Sequence, residues 1–97
     1  MAKRYSAEHL HRLRNEIPLE QVFRALNWPH KRRDGLVRFL CPRCQEFRTA
    51  TNPATNLGRC FLCEENFNAL EVVMRVRDYD FLTAASYLSS LLGSEPR

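Results

Sequence analysis

Four cysteines are the residues of this sequence best suited to chemistry. They form two Cys-x-x-Cys pairs, at residues 41–44 and 60–63, with fifteen residues between the pairs. A Cys-x-x-Cys turn directs two sulfur atoms towards one point, and a second such turn completes a tetrahedron of soft thiolate ligands. The spacing is typical of a four-cysteine zinc site. We therefore predict that one Zn²⁺ is held by Cys41, Cys44, Cys60 and Cys63.

The expected role of this metal is structural. With four protein ligands, a zinc ion has no open coordination position for a substrate or a water molecule. The chain has 97 residues, which is one small domain with a marginal core, and a metal is a common stabilising element at this size. A zinc deaminase would need a histidine followed two residues later by glutamate, and no histidine here has one. We therefore predict that this chain alone is not an enzyme.

Disulfide bonds and redox chemistry are the alternative uses of these cysteines. Disulfides need an oxidising compartment, whereas residues 1–5 are followed by polar sequence without the apolar region of a secretory signal. No apolar stretch is long enough to span a membrane, so we expect a cytoplasmic protein with reduced thiols. A redox-active pair at Cys41 and Cys44 would open a helix after a strand, and no helix is predicted there. Zinc is the preferred interpretation.

The positive charge of the chain is concentrated around the cysteine pairs. Residues 31–60 contain seven basic and two acidic side chains, a net charge of +5, whereas residues 61–97 have a net charge of −3. Four thiolates around one Zn²⁺ are themselves negative, so part of the basic cluster offsets the site. The remaining surplus suits a polyanion such as nucleic acid. A solvated basic face that keeps the domain soluble explains the charge equally well.

The N-terminal part, residues 6–27, is predicted to form two helices. Ser6 is suited to cap a first helix over residues 7–16, in which apolar residues recur at helical spacing. Pro18 ends that helix and is suited to the first position of a second helix, which ends near Asn27. These two helices are expected to pack one apolar face each against the core.

The middle part, residues 30–66, is predicted to form a zinc ribbon. Residues 30–35 are basic and are interpreted as a turn, with an Asp-Gly hairpin signal. Residues 36–40 and 57–61 are predicted strands, and each leads directly into one cysteine pair. Between the pairs, residues 45–56 are polar and are predicted to be a loop with room for one irregular strand.

The C-terminal part, residues 68–93, is again predicted to be helical. Asn68, with a glutamate three residues later, is suited to cap a helix over residues 69–77, and Asp80 is suited to cap the last helix. The tail, residues 94–97, is expected to be frayed. The last helix has an apolar stripe expected in the core, which comprises Phe81, Ala84, Ala85, Leu88, Leu91 and Leu92. The predicted fold class is α+β: a small zinc ribbon with an antiparallel β-sheet, flanked by N- and C-terminal helices.

Histidine and aromatic residues outside these stripes have mostly structural interpretations. His9 and His11 lie two positions apart on a helix, which makes a poor metal pair, so both are expected on the surface. Trp28 is expected to pack in the core or at its edge. Phe39 and Phe61 are the candidates for stacking on a nucleic-acid base, but core packing is the preferred expectation for both.

Four stretches together resemble the N-terminal zinc-binding domain of bacterial DnaG-type DNA primases. Cys-Pro-Arg-Cys at residues 41–44 is similar to that family's Cys-Pro-x-His, and Cys-Phe-Leu-Cys at residues 60–63 is similar to its Cys-Phe-Gly-Cys. Residues 17–25, followed by residues 31–35, resemble the family's short helix and basic turn. Residues 72–74, with residues 80–85, are similar to its Phe-x-Met helix and the Phe-x-x-Ala helix that follows. The resemblance spans about residues 17–93.

The sequence also departs from this family. Cys44 stands where the family usually has histidine, and the glycine-rich run after the last cysteine is replaced by residues 64–68. The family's Thr-Pro-Ser-Phe segment, which belongs to its DNA-facing surface, is only loosely similar to residues 48–51. These differences indicate a divergent member, bacterial or encoded by a phage or another mobile element.

The resemblance implies a function and a set of partners. In this family the domain contacts a single-stranded DNA template and helps to start the RNA primer, while polymerisation takes place in a separate domain. It therefore implies an isolated primase domain, or a small protein that works with a separate polymerase and with a helicase. Phosphate contacts are expected from Lys31, Arg33, Arg38, Arg43, Arg48 and Arg59. The alternative is a protein-interaction adaptor, in which the acidic C-terminal third docks a polymerase or helicase and no DNA is bound.

Overall fold

The computed structural model describes residues 5–93, and the tail at residues 94–97 lies outside this range. The described part contains four helices and five strands, in an order that confirms the predicted α+β class. The elements are α1 (Ala7–Asn15), α2 (Leu19–Ala25), β1 (His30–Arg33), β2 (Leu36–Phe39), β3 (Thr49–Asn52), β4 (Leu57–Cys60), β5 (Glu65–Phe67), α3 (Ala69–Arg77) and α4 (Phe81–Gly93).

Side-chain caps begin three of the helices, as predicted. The Ser6 hydroxyl accepts a hydrogen bond from the backbone N–H of His9 at 3.0 Å and starts α1. Asn68 starts α3 with a reciprocal capping box, and the Asp80 carboxylate accepts from the N–H of Thr83 at 2.8 Å ahead of α4. Pro18 lies one position before α2 instead of at its first position.

The first two strands form an antiparallel hairpin. His30 pairs with Phe39 and Arg33 pairs with Leu36. Asp34 and Gly35 connect them with φ values of 54° and 78°, the combination found in a two-residue type I′ turn. The prediction of a turn over residues 30–35 is therefore wrong for His30–Arg33, which is a strand. Its four polar residues show no apolar alternation, and the pairing with β2 makes it extended.

The other three strands form a second antiparallel sheet in the order β3-β4-β5. β3 is the irregular strand expected within residues 45–56, and β4 is the strand predicted to enter the second cysteine pair. β5 was not predicted, because it has three residues and only Phe67 among them is buried. A strand this short leaves no alternating pattern to detect.

Two threonines connect the hairpin to the three-stranded sheet. Thr49 Oγ1 donates to the carbonyl of Phe39 at 2.5 Å and accepts from its N–H at 2.9 Å. Thr51 Oγ1 donates to the carbonyl of Val37 at 3.0 Å. Side chains of β3 therefore form hydrogen bonds with backbone groups along the edge of β2 that faces β3. These contacts hold the two sheets side by side.

One core lies under both sheets and all four helices. The Phe39 ring, which was expected to pack there, is fully buried, with centroids 4.9 Å from Phe23 and 6.3 Å from Phe67. Gly58 leaves room for it, since a Cβ at that position would lie 2.7 Å from the ring. Trp28 packs at the edge of this core, as predicted, and its Nε1 donates to the carbonyl of Leu40 at 2.6 Å.

Two residues differ from their predicted environments. His9 was expected on the surface, but it is half-buried, and its Nε2 lies 2.8 Å from the hydroxyl of Ser89 on α4. Phe81 was expected in the core, but it is 41% exposed, because α4 buries its stripe only from Ala84 onwards. His11 is exposed, as predicted. Among the helices of residues 5–93, none combines the length and the apolar character needed to cross a bilayer.

Candidate metal centre and nucleic-acid interface

The two cysteine turns meet at the ends of the two sheets. One turn follows β2 and the other follows β4, and the four Sγ atoms all lie within 4.8 Å of one another. Cys41 and Cys60 are buried, whereas Cys44 and Cys63 are half-buried. All four are free thiols. The sequence prediction that these four cysteines come together is therefore confirmed, and the cluster could hold a metal ion.

The distances between sulfur atoms match a tetrahedral metal site. Cys41 Sγ lies 3.9 Å from Cys63 Sγ, and Cys44 Sγ lies 3.6 Å from Cys60 Sγ. A disulfide would bring two sulfur atoms to about 2.05 Å. A tetrahedron of sulfur atoms about 2.3 Å from a central ion has edges of about 3.8 Å. These two distances, on opposite edges of the cluster, bracket that value, and no pair of sulfur atoms is more than 4.8 Å apart, so the cluster could close around one ion.

The backbone gives the two turns matching shapes. The N–H of Arg43 donates to Cys41 Sγ, and the N–H of Cys63 donates to Cys60 Sγ, both at 3.4 Å. Such bonds favour the thiolate form that a metal needs. The residue after each second cysteine has a left-handed backbone, with φ of 61° at Gln45 and 57° at Glu64. This conformation turns the chain away from the cluster after its second ligand.

Cys44, Cys60 and Cys63 differ in how readily they ionise. Desolvation opposes ionisation of Cys60, but hydrogen bonds from the Cys63 N–H and from the thiols of Cys41 and Cys44 outweigh it and lower the pKa of Cys60 to about 7. Desolvation raises the pKa of Cys63 to about 12, with the neighbouring thiols adding to the effect. Desolvation also raises the pKa of Cys44. Complete ionisation of this cluster requires a cation among the sulfur atoms, so protons and metal compete for them.

Glu65 connects the first cysteine turn to the helices. Its carboxylate forms an ion pair with Arg43, and its other oxygen lies 3.8 Å from Arg75 on α3. The Arg75 guanidinium also lies over the Phe67 ring, 5.7 Å from the centroid. Arg43, one of the predicted phosphate contacts, is exposed but already has this carboxylate partner. Sequence reasoning did not identify Glu65, because the contact joins residues 22 positions apart.

Three of the predicted phosphate contacts lie together on the outer face of the hairpin. This surface is called the hairpin face, and it consists of Lys31, Arg33, Leu36 and Arg38, all of them exposed. Lys31 is directly opposite Arg38, and Arg33 is opposite Leu36. The Lys31 Nζ lies 4.7 Å from the centroid of the Phe47 ring. The structure therefore concentrates Lys31, Arg33 and Arg38 on one surface, which the sequence pattern alone did not establish.

The other two predicted contacts lie at the three-stranded sheet. Arg48 is exposed just before β3, and Arg59 on β4 is half-buried, with its Nη1 3.3 Å from the side-chain oxygen of Asn66. Arg59 lines an open cleft of about 410 Å³ on the outer side of the sheet. The name sheet face is given to four residues of this cleft, which are Leu57, Arg59, Phe61 and Asn66.

Phe61 is exposed, contrary to the expectation that it packs in the core. The structure leaves 59% of Phe61 and 53% of the adjacent Leu62 accessible to solvent. Both lie between Cys60 and Cys63, which turn their sulfur atoms inward, so the two intervening side chains point outward. The position of Phe61 between two inward-facing cysteines could be read from the Cys-x-x-Cys spacing, and it could have identified Phe61 as a surface residue.

Fold and site together define a small α+β protein with a four-cysteine candidate metal centre between two antiparallel sheets. Searched against protein-family models and against curated proteins, the chain gives no match.

Proposed function

We propose that this chain is a structural-zinc, single-stranded DNA-binding module of a DNA primase or replication system, which helps template recognition and primer initiation. The observation that carries the proposal is that the exposed Phe61 ring and the Arg59 side chain line the same cleft on the sheet face. An accessible aromatic ring and a cation are the two elements with which proteins hold an unpaired strand.

Zinc is the metal that suits the cysteine cluster best. Four thiolates in a tetrahedron favour Zn²⁺ among the common divalent ions. When bound, the ion supplies a rigid cross-link between the two turns, and it has no coordination position left for a substrate. The cross-link would hold Cys60 and Cys63 in place, and these two residues fix the direction of Phe61.

The sheet face can hold a strand in two ways at once. A base stacked on Phe61 is expected to contribute about 1–3 kcal/mol to binding. Arg59 lies two residues before Phe61, and its hydrogen bond to Asn66 keeps the guanidinium at the surface of the sheet, where a phosphate would contact it. Arg48 provides further charge for a polyanion. This combination is tolerant of sequence, because every base has an aromatic face.

The assignment to a primase system rests on the resemblance in the sequence. Both cysteine motifs and the following helices are similar to those of the DnaG-type zinc-binding domain, although Cys44 replaces the family's histidine. In such a system the chain would present the template, and a separate primase or polymerase domain or protein would join the nucleotides. A helicase is a further expected partner.

The test is fluorescence anisotropy of the zinc-loaded protein with a labelled single-stranded oligonucleotide, titrated over salt. We expect binding that weakens steadily as salt rises. Phe61→Ala should weaken binding roughly 5- to 150-fold, the equivalent of about 1–3 kcal/mol. Leu62→Ala is the matched control, since Leu62 is equally exposed in the same turn but has no ring. Unchanged affinity of Phe61→Ala, with its zinc content intact, would contradict the proposal.

A protein-interaction adaptor is the second candidate, and one observation favours it. Phe81 and Leu82 are 41% and 40% exposed at the start of α4, and they lie in sequence next to the acidic residues Asp78 and Asp80. An apolar patch with adjacent negative charge would suit a basic segment of a polymerase or helicase. If the wild-type protein binds no single strand even at low salt, this candidate replaces DNA binding.

A further inference from the structure

Within residues 5–93, the cations of the hairpin face form no ion pair with a carboxylate. Lys31 and Arg38 are cross-strand neighbours, and Arg33 follows two residues after Lys31 on the same side of β1. Every ion pair found within residues 5–93 involves other basic residues. Asp34 lies in the turn and lines the same small pocket as these cations, but it forms no ion pair with them. Like charges directly opposite each other destabilise a hairpin, so folding alone does not account for this arrangement.

Arg32 shows what a structural cation in the same strand looks like. It lies between Lys31 and Arg33, on the opposite side of β1, and it forms an ion pair with Glu20 of α2. Alternation along the strand therefore separates one neutralised arginine from two cations that face solvent. Fold stability explains Arg32, whereas the unneutralised residues match a negatively charged ligand that lies across the hairpin face.

The hairpin face offers charge without a free aromatic ring. Within the described part of the chain, Phe47 is the ring that lines the pocket of this face, and the Lys31 ammonium already lies over it. Phe39, on β2, is fully buried on the other side of the hairpin. Single-strand binding depends on stacking with exposed bases, which this face cannot provide. This face can contact phosphates but cannot stack on bases. A duplex suits such a face, because its phosphates are outside and its bases are stacked inside.

The two faces belong to sheets that lie side by side. Val37 and Phe39 turn inward from the hairpin, and Gly58 and Phe67 turn inward from the sheet, so both outer faces point away from the shared core. The hydrogen bonds from Thr49 to Phe39 hold β3 beside β2. A nucleic acid can therefore pass from one face to the other.

We propose that the hairpin face binds the phosphate backbone of a double helix, so that the module prefers a junction between duplex and single strand. The junction preference rests on the proposed function of the sheet face, whereas duplex binding by Lys31, Arg33 and Arg38 does not. The ligand class is a nucleic-acid duplex of any sequence, because phosphate contacts do not read bases.

The experiment compares three labelled probes in anisotropy titrations over salt: a single strand, a blunt duplex and a junction with one unpaired arm. The variants are Arg33→Gln and Arg38→Gln, with Arg32→Gln as the control, since Arg32 lies in the same strand with the same charge but on the other side. For the duplex, Arg33→Gln and Arg38→Gln should each reduce the slope of log K against log salt by about 0.9, one phosphate contact each. Arg32→Gln should leave that slope unchanged.

The outcomes distinguish the two faces. Phe61→Ala should weaken single-strand binding and leave duplex binding unchanged, whereas Arg33→Gln should weaken duplex binding and leave single-strand binding unchanged. Duplex binding without single-strand binding would refute the sheet-face proposal and leave the hairpin face supported. The hairpin proposal is overturned if the wild-type protein does not bind duplex, or if Arg32→Gln weakens duplex binding as much as Arg33→Gln does. Zinc content and far-ultraviolet circular dichroism of each variant establish that the fold is intact.

Discussion

The helical layer and the cysteine ribbon are held in place by different forces. The helical layer, α1 to α4, buries apolar side chains on each helix, such as Leu13, Phe23, Val73 and Leu88. The cysteine ribbon, residues 41–67, contains both of the buried polar residues found within residues 5–93, which are Thr49 and Asn56. Hydrophobic burial is non-directional and spread over many groups, whereas hydrogen bonds and metal ligands depend on single atoms. The stability of the ribbon should therefore depend on a few polar atoms and ligands, whereas that of the helices depends on the total apolar area they bury.

Removal of the proposed metal is the strongest way to test this contrast. Structural zinc contributes about 10–16 kcal/mol of apparent binding free energy in small zinc-dependent domains. We expect chelation, or Cys60→Ser, to abolish amide-exchange protection in β3, β4 and β5 while α1, α3 and α4 keep most of theirs. Hydrogen exchange before and after chelation measures this directly. Equal protection of β4 in both states would mean that the ribbon does not depend on metal.

Asn56 joins the two regions, and its loss should have the next largest effect. Its side chain accepts from the Leu19 N–H at 3.1 Å and donates to the carbonyls of Arg14 and Ile17 at 2.8 and 2.7 Å. Asn56→Ala leaves these backbone groups without their partner, which should lower the free energy of unfolding by about 2–4 kcal/mol. Urea unfolding of the zinc-loaded protein measures the change.

Asn52→Ala is the control for this prediction. Asn52 is exposed at the end of β3, and its side chain accepts only a local bond from the Ala54 N–H. Asn52→Ala should lower the free energy of unfolding by well under half as much as Asn56→Ala does. If the two variants unfold at the same urea concentration, Asn56 is not the link between the ribbon and the helices.

Gly58 tests how closely the ribbon packs on the core. A Cβ at this position would lie 2.7 and 2.8 Å from two atoms of the Phe39 ring. Gly58→Ala should therefore lower the free energy of unfolding by about 1–3 kcal/mol through overpacking. Adding Phe39→Leu should recover part of this loss, because the smaller side chain makes room. If the change in unfolding free energy of the double variant equals the sum of the two single changes, the two residues do not interact.

The helical layer and the cysteine ligands could be predicted because their signals are local. Ser6, Asn68 and Asp80 precede apolar residues at helical spacing, and each of them caps a helix as expected. The paired cysteine turns have a spacing that few other sites share. In both cases the information lies within one turn or one helix of sequence, so tertiary contacts did not need to be known.

The unpredicted features depend on partners that are distant in the chain. β1 is extended because it pairs with β2, and its own sequence has no strand pattern. Asn56 stands in a polar loop, and its role depends on three helix-terminal backbone groups at least 37 residues away. Arg32 is neutralised and the adjacent Arg33 is not, because α2 places Glu20 on the side of β1 where Arg32 lies. No local pattern in the sequence carries this information.

The smallest expected effect is at a helix cap, at the start of α4. Hydrogen bonds from the hydroxyl and the backbone N–H of Thr83 lower the pKa of Asp80 below its ordinary value of 3.8. A lowered folded-state pKa gives stability that is present above the ordinary value and is lost as the pH falls through the lowered one. Asp80→Asn keeps a good capping residue but has no charge to titrate.

The wild type should therefore be slightly more stable than Asp80→Asn at pH 7. The difference between the urea midpoints of the two proteins, the gap, should close towards pH 3. A gap of the same size at both pH values would mean that the Asp80 charge does not stabilise α4, and a large gap at pH 7 would contradict the view that single contacts matter less in the helices than in the ribbon.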